Sequence, residues 1–280
     1  MRNLSITTAW NEATDFLKLH FGALFTIALA MIAVPSVVLH AFGPAAAEPG
    51  RPPEAGLWLL LIPAVIVLNI AASLAMSSLA LGRRNVVGEA IGHGFRRFLP
   101  LLGSIAIAAA GMFLILLPLV LLSGIRPEEL ASPAPAKAGK IALVMLVFLA
   151  VALFFAVRLL LMTPVAAAEP AGPIEIMRRS WKLTGPHFWK LLGFVLLMLI
   201  VLAIVSTVVT ILFGLLIAAV AGPPQPGSLG SLLLALAGAV VNAAFVVVTT
   251  TLIARIYVQL SGGGASLGAA SAGAGPASGI

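Results

Sequence analysis

Apolar residues gather into six runs along this chain, at 21–42, 57–81, 98–122, 141–163, 191–220 and 229–260. A helix crossing the ~30 Å hydrocarbon core of a bilayer needs about 20 such residues. Six transmembrane helices are therefore predicted. The last two runs exceed what a bilayer requires, so tilt, or a break near Gly214, is expected there. Pro35, Pro63 and Pro118 fall inside runs and read as packing kinks, which membrane helices tolerate.

The polar positions between the runs alternate in character. Segments 40–56, 123–140 and 221–228 are rich in Pro, Ala or Gly, whereas 82–97 and 164–190 are strongly basic. Within the second basic segment, Gly172-Pro173 is a helix-start signal and Gly185-Pro186 a stop. At ~100° per residue, Ile174, Ile176, Met177, Ser180, Trp181 and Thr184 share one half of that helix, and Glu175, Arg178, Arg179 and Lys182 the other. Such a helix beside a span is expected to lie flat on the lipid surface.

Two other places show the same pattern. Ahead of the first run, Ile6, Ala9, Trp10, Ala13, Phe16 and Leu17 face away from Thr7, Thr8, Asn11, Glu12, Asp15 and Lys18, with Ser5 as N-cap. Ahead of the third, Val87, Ala90, Ile91 and Phe98 oppose Glu89, His93 and Arg96. Gly88, Gly92 and Gly94 weaken that copy by ~1 kcal/mol each. The entries His20-Phe21-x-x-Leu24, Phe98-x-x-Leu101-Leu102-Gly103 and His187-Phe188-x-x-Leu191-Leu192-Gly193 align without gaps. The expected architecture is an all-α membrane protein of six transmembrane helices and three cytoplasmic interfacial amphipathic helices. A three-fold internal repeat about an axis along the membrane normal is part of that expectation. Residues 1–260 form the membrane domain, and 261–280 a Gly/Ala/Ser tail expected to be disordered.

Composition agrees. Of 280 residues, 61% are hydrophobic and 9% charged, against roughly a quarter charged in a soluble domain. The formal net charge of +7 would suggest nucleic acid in a soluble protein. Here the basic residues flank spans, so anionic lipid headgroups are the expected partners, and nucleic acid is not. Twelve Lys and Arg fall on one side of the predicted layout, and Arg51, Arg126, Lys137 and Lys140 on the other. The positive-inside rule then places both termini in the cytoplasm. Ala45-Ala46-Ala47 could mimic a signal-peptidase site, but ~20 amphipathic residues precede the first run where a signal peptide has a short basic region, so that span is expected to be retained. Without cysteine, disulfides, thiol catalysis and cysteine-ligated metals are excluded.

The pattern Pro164…Glu169-x-x-Gly172…Ser180-x-x-Leu183-x-Gly185…Phe188 resembles the signature of a broad set of bacterial inner-membrane proteins. These are related to the membrane domain attached to some glycerophosphodiester phosphodiesterases. As a motif the resemblance covers residues 164–193, and as a layout of spans most of the chain. It implies a membrane domain without assigned chemistry. The catalytic phosphodiesterase is a separate barrel of ~250 residues, for which the longest non-membrane stretch here leaves no room.

Glu169 is the most interesting acid. It stands just inside the cytoplasmic end of the fourth span, with Arg158 and Arg255 a turn or two from the same face. An ion pair clamping the loop to two spans, an ion or headgroup site, and arginines snorkelling to the surface all remain open. Asn69 and Asn242, deep in the second and sixth spans, are expected to hydrogen-bond between helices. Ser206, Thr207, Thr210 and Thr249–Thr251 can bond their own helix carbonyls. His20, His40, His93 and His187 have no metal-ligand spacing, so no metal or cofactor is expected. Trp10, Trp181 and Trp189 are expected as interfacial anchors, beside the headgroup-facing Arg178, Arg179 and Lys182. The expected role is non-enzymatic, through anionic lipid or an envelope partner. The alternative is a transporter or lipid translocator, which a repeat-built bundle suits but spans poor in ionisable residues do not.

Overall fold

The computed structural model describes residues 4–43, 56, 58–83, 86–125, 135–222, 225 and 227–262. The Ala45-Ala46-Ala47 stretch, Arg51, Arg126 and the tail beyond Gly262 lie outside them. Helix α1 (Ile6–Ala28) starts where expected, its Ser5 cap accepting a hydrogen bond from the Thr8 N–H. It passes through a π-type turn, Leu29–Ala33, into α2 (Val34–Phe42). The cause is local. Pro35 has no N–H to return to the α ladder, and the Val34 N–H reaches back five residues to the Leu29 carbonyl. The expected proline kink is thus a widened turn, while Pro63 and Pro118 sit inside uninterrupted helices.

Next come α3 (Trp58–Ala80), α4 (Val87–Ser123), α5 (Pro135–Leu159) and the short α6 (Met162–Ala168). Helix α7 (Pro173–Thr184) has Gly172 as N-cap and Pro173 in its first turn. It gives way at Gly185–His187 to a 3₁₀ turn, then to α8 (Phe188–Ala221), and α9 (Leu229–Ser261) completes the chain. Six helical stretches are long and apolar enough to span a membrane, and no described residue lies in a strand. The break expected near Gly214 is absent: α8 runs through it. Nor are the first two amphipathic segments separate from their spans, since no helix stop resembling Gly185-Pro186 follows Lys18 or Arg97.

The glycines of α4 do not interrupt it either, and Gly94 has a packing reason. A Cβ added there would collide with the Ala71 carbonyl oxygen of α3. Ala71, Ala72 and Ala75 on α3 and Ala90 on α4 are fully buried. Small side chains that let backbones approach are the usual basis of helix association in lipid, where apolarity alone drives none.

The core lies toward one end of the bundle. There α3, α6 and α7, the start of α8 and the last turns of α9 bury Leu74, Leu161, Ile176, Leu191 and Ile256. A second cluster joins α1 and its π turn to α3 and α9 through Leu24, Ile27, Ala71 and Val247. The start of α1 is tied to the same place: the Ser5 N–H donates to Gln259 Oε1 near the end of α9, and Lys190 Nζ to the Leu4 carbonyl. Farther from this end, residues 137–156 of α5 and 195–220 of α8 contain no buried position.

Candidate functional site at the basic end

Glu169 follows α6 in an extended conformation, which the next residue, Pro170, favours. Its Oε1 accepts a hydrogen bond from Tyr257 Oη at 2.7 Å and from Arg179 Nε at 3.3 Å. A single carboxylate thus ties the α6–α7 loop to the inner side of α7 and to the last turns of α9. The partners are not those expected. Arg158 and Arg255 form no ion pair with Glu169, because aromatic rings hold both guanidiniums elsewhere.

The Arg158 guanidinium lies 5.0 Å from the Trp181 ring and 5.5 Å from the Phe154 and Phe188 rings, with Nη1 3.4 Å from the Trp181 carbonyl. A cation among three ring faces is stabilised without a counter-ion. The Arg158 main-chain carbonyl, near the end of α5, accepts from Ser180 Oγ at 2.8 Å and Thr184 Oγ1 at 3.3 Å. Polar residues on the inner face of α7 therefore cap the preceding span. Arg255 stands 4.9 Å over the Phe16 ring of α1.

These contacts correct the picture of α7 resting its apolar face in lipid. Ile176, Ser180 and Thr184 are fully buried, because that face packs on α4, α5 and α6. Arg179 turns inward to Glu169. Arg178 and Lys182 remain exposed, as do Ile174, Trp189 and one edge of Trp181. Trp10 is exposed on α1.

The intramembrane amides also differ from expectation. Asn69 Nδ2 donates to Val65 O of its own helix at 2.9 Å rather than across a helix contact, and Asn242 is exposed on α9. Thr249 and Thr251 bond carbonyls of their own helix, to Phe245 and Val247 at 2.8 Å each. No group of three potential metal-ligating side chains occurs among the described residues.

Two features escaped the sequence pattern. Tyr257 is the only tyrosine in the chain, and its uniqueness is the one signal that could have drawn attention to it. The other is a cavity of about 380 Å³ lined by Ser78, Arg83, His93, Arg97, Ala167, Ala168 and Pro170. His93 Nε2 lies 3.1 Å from the Ala167 carbonyl oxygen, which can only accept, so this nitrogen carries the proton.

Helices of this length, packed at one end through small residues and bared to lipid elsewhere, define an all-α, multi-pass membrane protein. Over residues 20–260 the chain matches, and so belongs to, the family described as a domain of unknown function (DUF7847). No curated protein and no solved structure matches it.

Proposed function

We propose that this is a non-enzymatic protein of the bacterial inner membrane, with both termini in the cytoplasm, that engages anionic lipid headgroups through the outer face of α7. The carrying observation is the division of that helix. Ile176, Ser180 and Thr184 fix it to the bundle, while Arg178 and Lys182 are exposed with Ile174 and Glu175 on the same helix, and Trp189 is exposed on α8. A cationic edge held rigidly beside apolar and aromatic anchors suits a headgroup layer, where each Lys or Arg contributes ~1 kcal/mol of attraction to anionic lipid. The cytoplasmic placement rests on the Lys and Arg asymmetry between the two sides. The likeness of residues 164–193 to the phosphodiesterase-linked membrane domains is compatible with such a role and adds no chemistry to it.

Binding to vesicles containing phosphatidylglycerol, against phosphatidylcholine alone, tests the reading through Arg178→Gln/Lys182→Gln, which leaves the Glu169 pair untouched. A weaker preference for anionic vesicles in the variant is expected. An unchanged preference, together with substrate flux in proteoliposomes, would favour the transporter alternative. A reporter fused at Thr184 should be cytoplasmic and one at Ala131 periplasmic; the reverse would overturn the orientation.

A further inference from the structure

The cavity on the other side of the α6–α7 loop is a different kind of basic surface, because it has walls. Arg83, just beyond α3, and the half-buried Arg97 and His93 of α4 face a volume of about 380 Å³, within the ~300–1,000 Å³ range of small-ligand sites. Glu169, beside the Ala168 and Pro170 wall, is not among the lining residues, and its Oε1 is held by Tyr257 and Arg179. Among the described residues, neither ion pair of the structure involves Arg83 or Arg97. Glu89 lines a smaller neighbouring cleft with His93 and Arg96, and His93 is common to both. Two guanidiniums at a cavity without a carboxylate partner suit a phosphate, which the planar fork of arginine binds in bidentate fashion.

One helical turn farther along α4 the lining changes. Arg97 and Leu101, four residues apart, are neighbours on the same face. From Leu101 to Met112, α4 forms one wall of a mainly apolar groove of about 450 Å³ whose other wall is α5 from Ala152 to Leu159, with Met162 and Thr163 at the start of α6. Ala108, Ala109, Ala152 and Ala156 leave open the space that larger side chains would fill. About eleven steps of ~1.5 Å make ~16 Å, close to half of a ~30 Å hydrocarbon core and so about one leaflet deep.

We propose that cavity and groove together form one binding site for an anionic phospholipid, its phosphate between Arg83 and Arg97 and an acyl chain along α4 and α5. The charge of the cavity selects an anion, and the groove one turn away selects an anion attached to a hydrocarbon chain. This site is separate from the outer face of α7, and either can fail without the other.

Native mass spectrometry tests it on protein extracted, delipidated and reloaded with phosphatidylglycerol, with glycerol phosphate as the headgroup-only probe. Wild type should retain phosphatidylglycerol. Arg83→Gln/Arg97→Gln should reduce retention about tenfold, and Ala109→Phe/Ala156→Phe, which fills the groove at two exposed positions, should reduce it comparably with an unchanged melting temperature. Arg178→Gln/Lys182→Gln should leave intact the part of the retention that Arg83→Gln/Arg97→Gln removes. Unchanged retention in either of the first two variants would overturn the proposal. So would displacement of the lipid by glycerol phosphate at equal concentration, which would make the cavity a site for free phosphate. Retention lost only in the Arg178→Gln/Lys182→Gln protein would also overturn it while supporting the α7 reading. If the Arg83→Gln/Arg97→Gln protein fails to fold, the groove variant and the headgroup competition decide.

Discussion

At the basic end of the bundle, α3 meets α4 through Ala71 and Gly94, α7 caps α5 through Ser180 and Thr184, and Glu169 binds side chains from two helices. In the opposite half, α5 and α8 carry Leu146, Phe148, Ile211, Leu212 and Leu215, all exposed. The second region is more hydrophobic yet less packed. Lipid tails satisfy a leucine as well as another leucine does, so association in a bilayer follows close backbone approach and hydrogen bonding rather than apolarity. Hydropathy marks which segments cross the membrane. Small and hydroxyl-bearing residues mark where they touch.

The contrast can be broken first by substituting leucines. Leu74→Ala, in the fully buried part of α3, should cost about 2–5 kcal/mol, as core truncations do. Leu212→Ala, on the bare part of α8, should stay within about 0.5 kcal/mol. Unfolding in detergent measures both, and equal costs would show that the far half is packed after all. Gly94→Val comes next, at about 1–3 kcal/mol, because α3 must move away from the added side chain. If it were neutral, the close approach at Ala71 would not be a determinant of the fold. Glu169→Gln follows, at about 1–2 kcal/mol. Both Glu169 and Arg179 are partly exposed, which keeps the cost below that of breaking a fully buried pair. A double-mutant cycle with Tyr257→Phe should show coupling of at least ~0.5 kcal/mol, and additive effects would show that the hydrogen bond contributes nothing.

The spans were readable in the sequence because ~20-residue apolar runs have few alternatives. The start of α7 at Gly172-Pro173 and its end at Gly185 were equally plain, since both signals act on the local backbone. What could not be read was the direction of side chains at the basic end. Glu169 stood out as an acid needing a partner, yet charge alone pointed to Arg158 and Arg255, which are held instead by aromatic rings from α1, α5, α7 and α8. Arg179 looked like part of an outward basic face, because 100° steps place it beside Arg178 and cannot show that a carboxylate lies within reach. The Arg83–Arg97 cavity is formed by residues brought together from α3, α4 and α6, and no single helical face carries it.

The π-type turn at Leu29–Ala33 affects how the first span must be counted. A turn closed over five residues instead of four holds one more residue than its neighbours, and so buries three in succession, Met31, Ile32 and Ala33. Every position after it is out of phase with α1 by one residue, or ~100°. Seven residues on from the buried Leu24 is the buried Met31, but seven on from the buried Ala28 is Pro35, and α2 has no buried position at all. A stripe extrapolated from α1 into α2 therefore lands one residue, or ~100°, away from the face on which it began. Deleting one residue within 29–33 would rotate Pro35–His40 back into register with the face that α1 packs on α9.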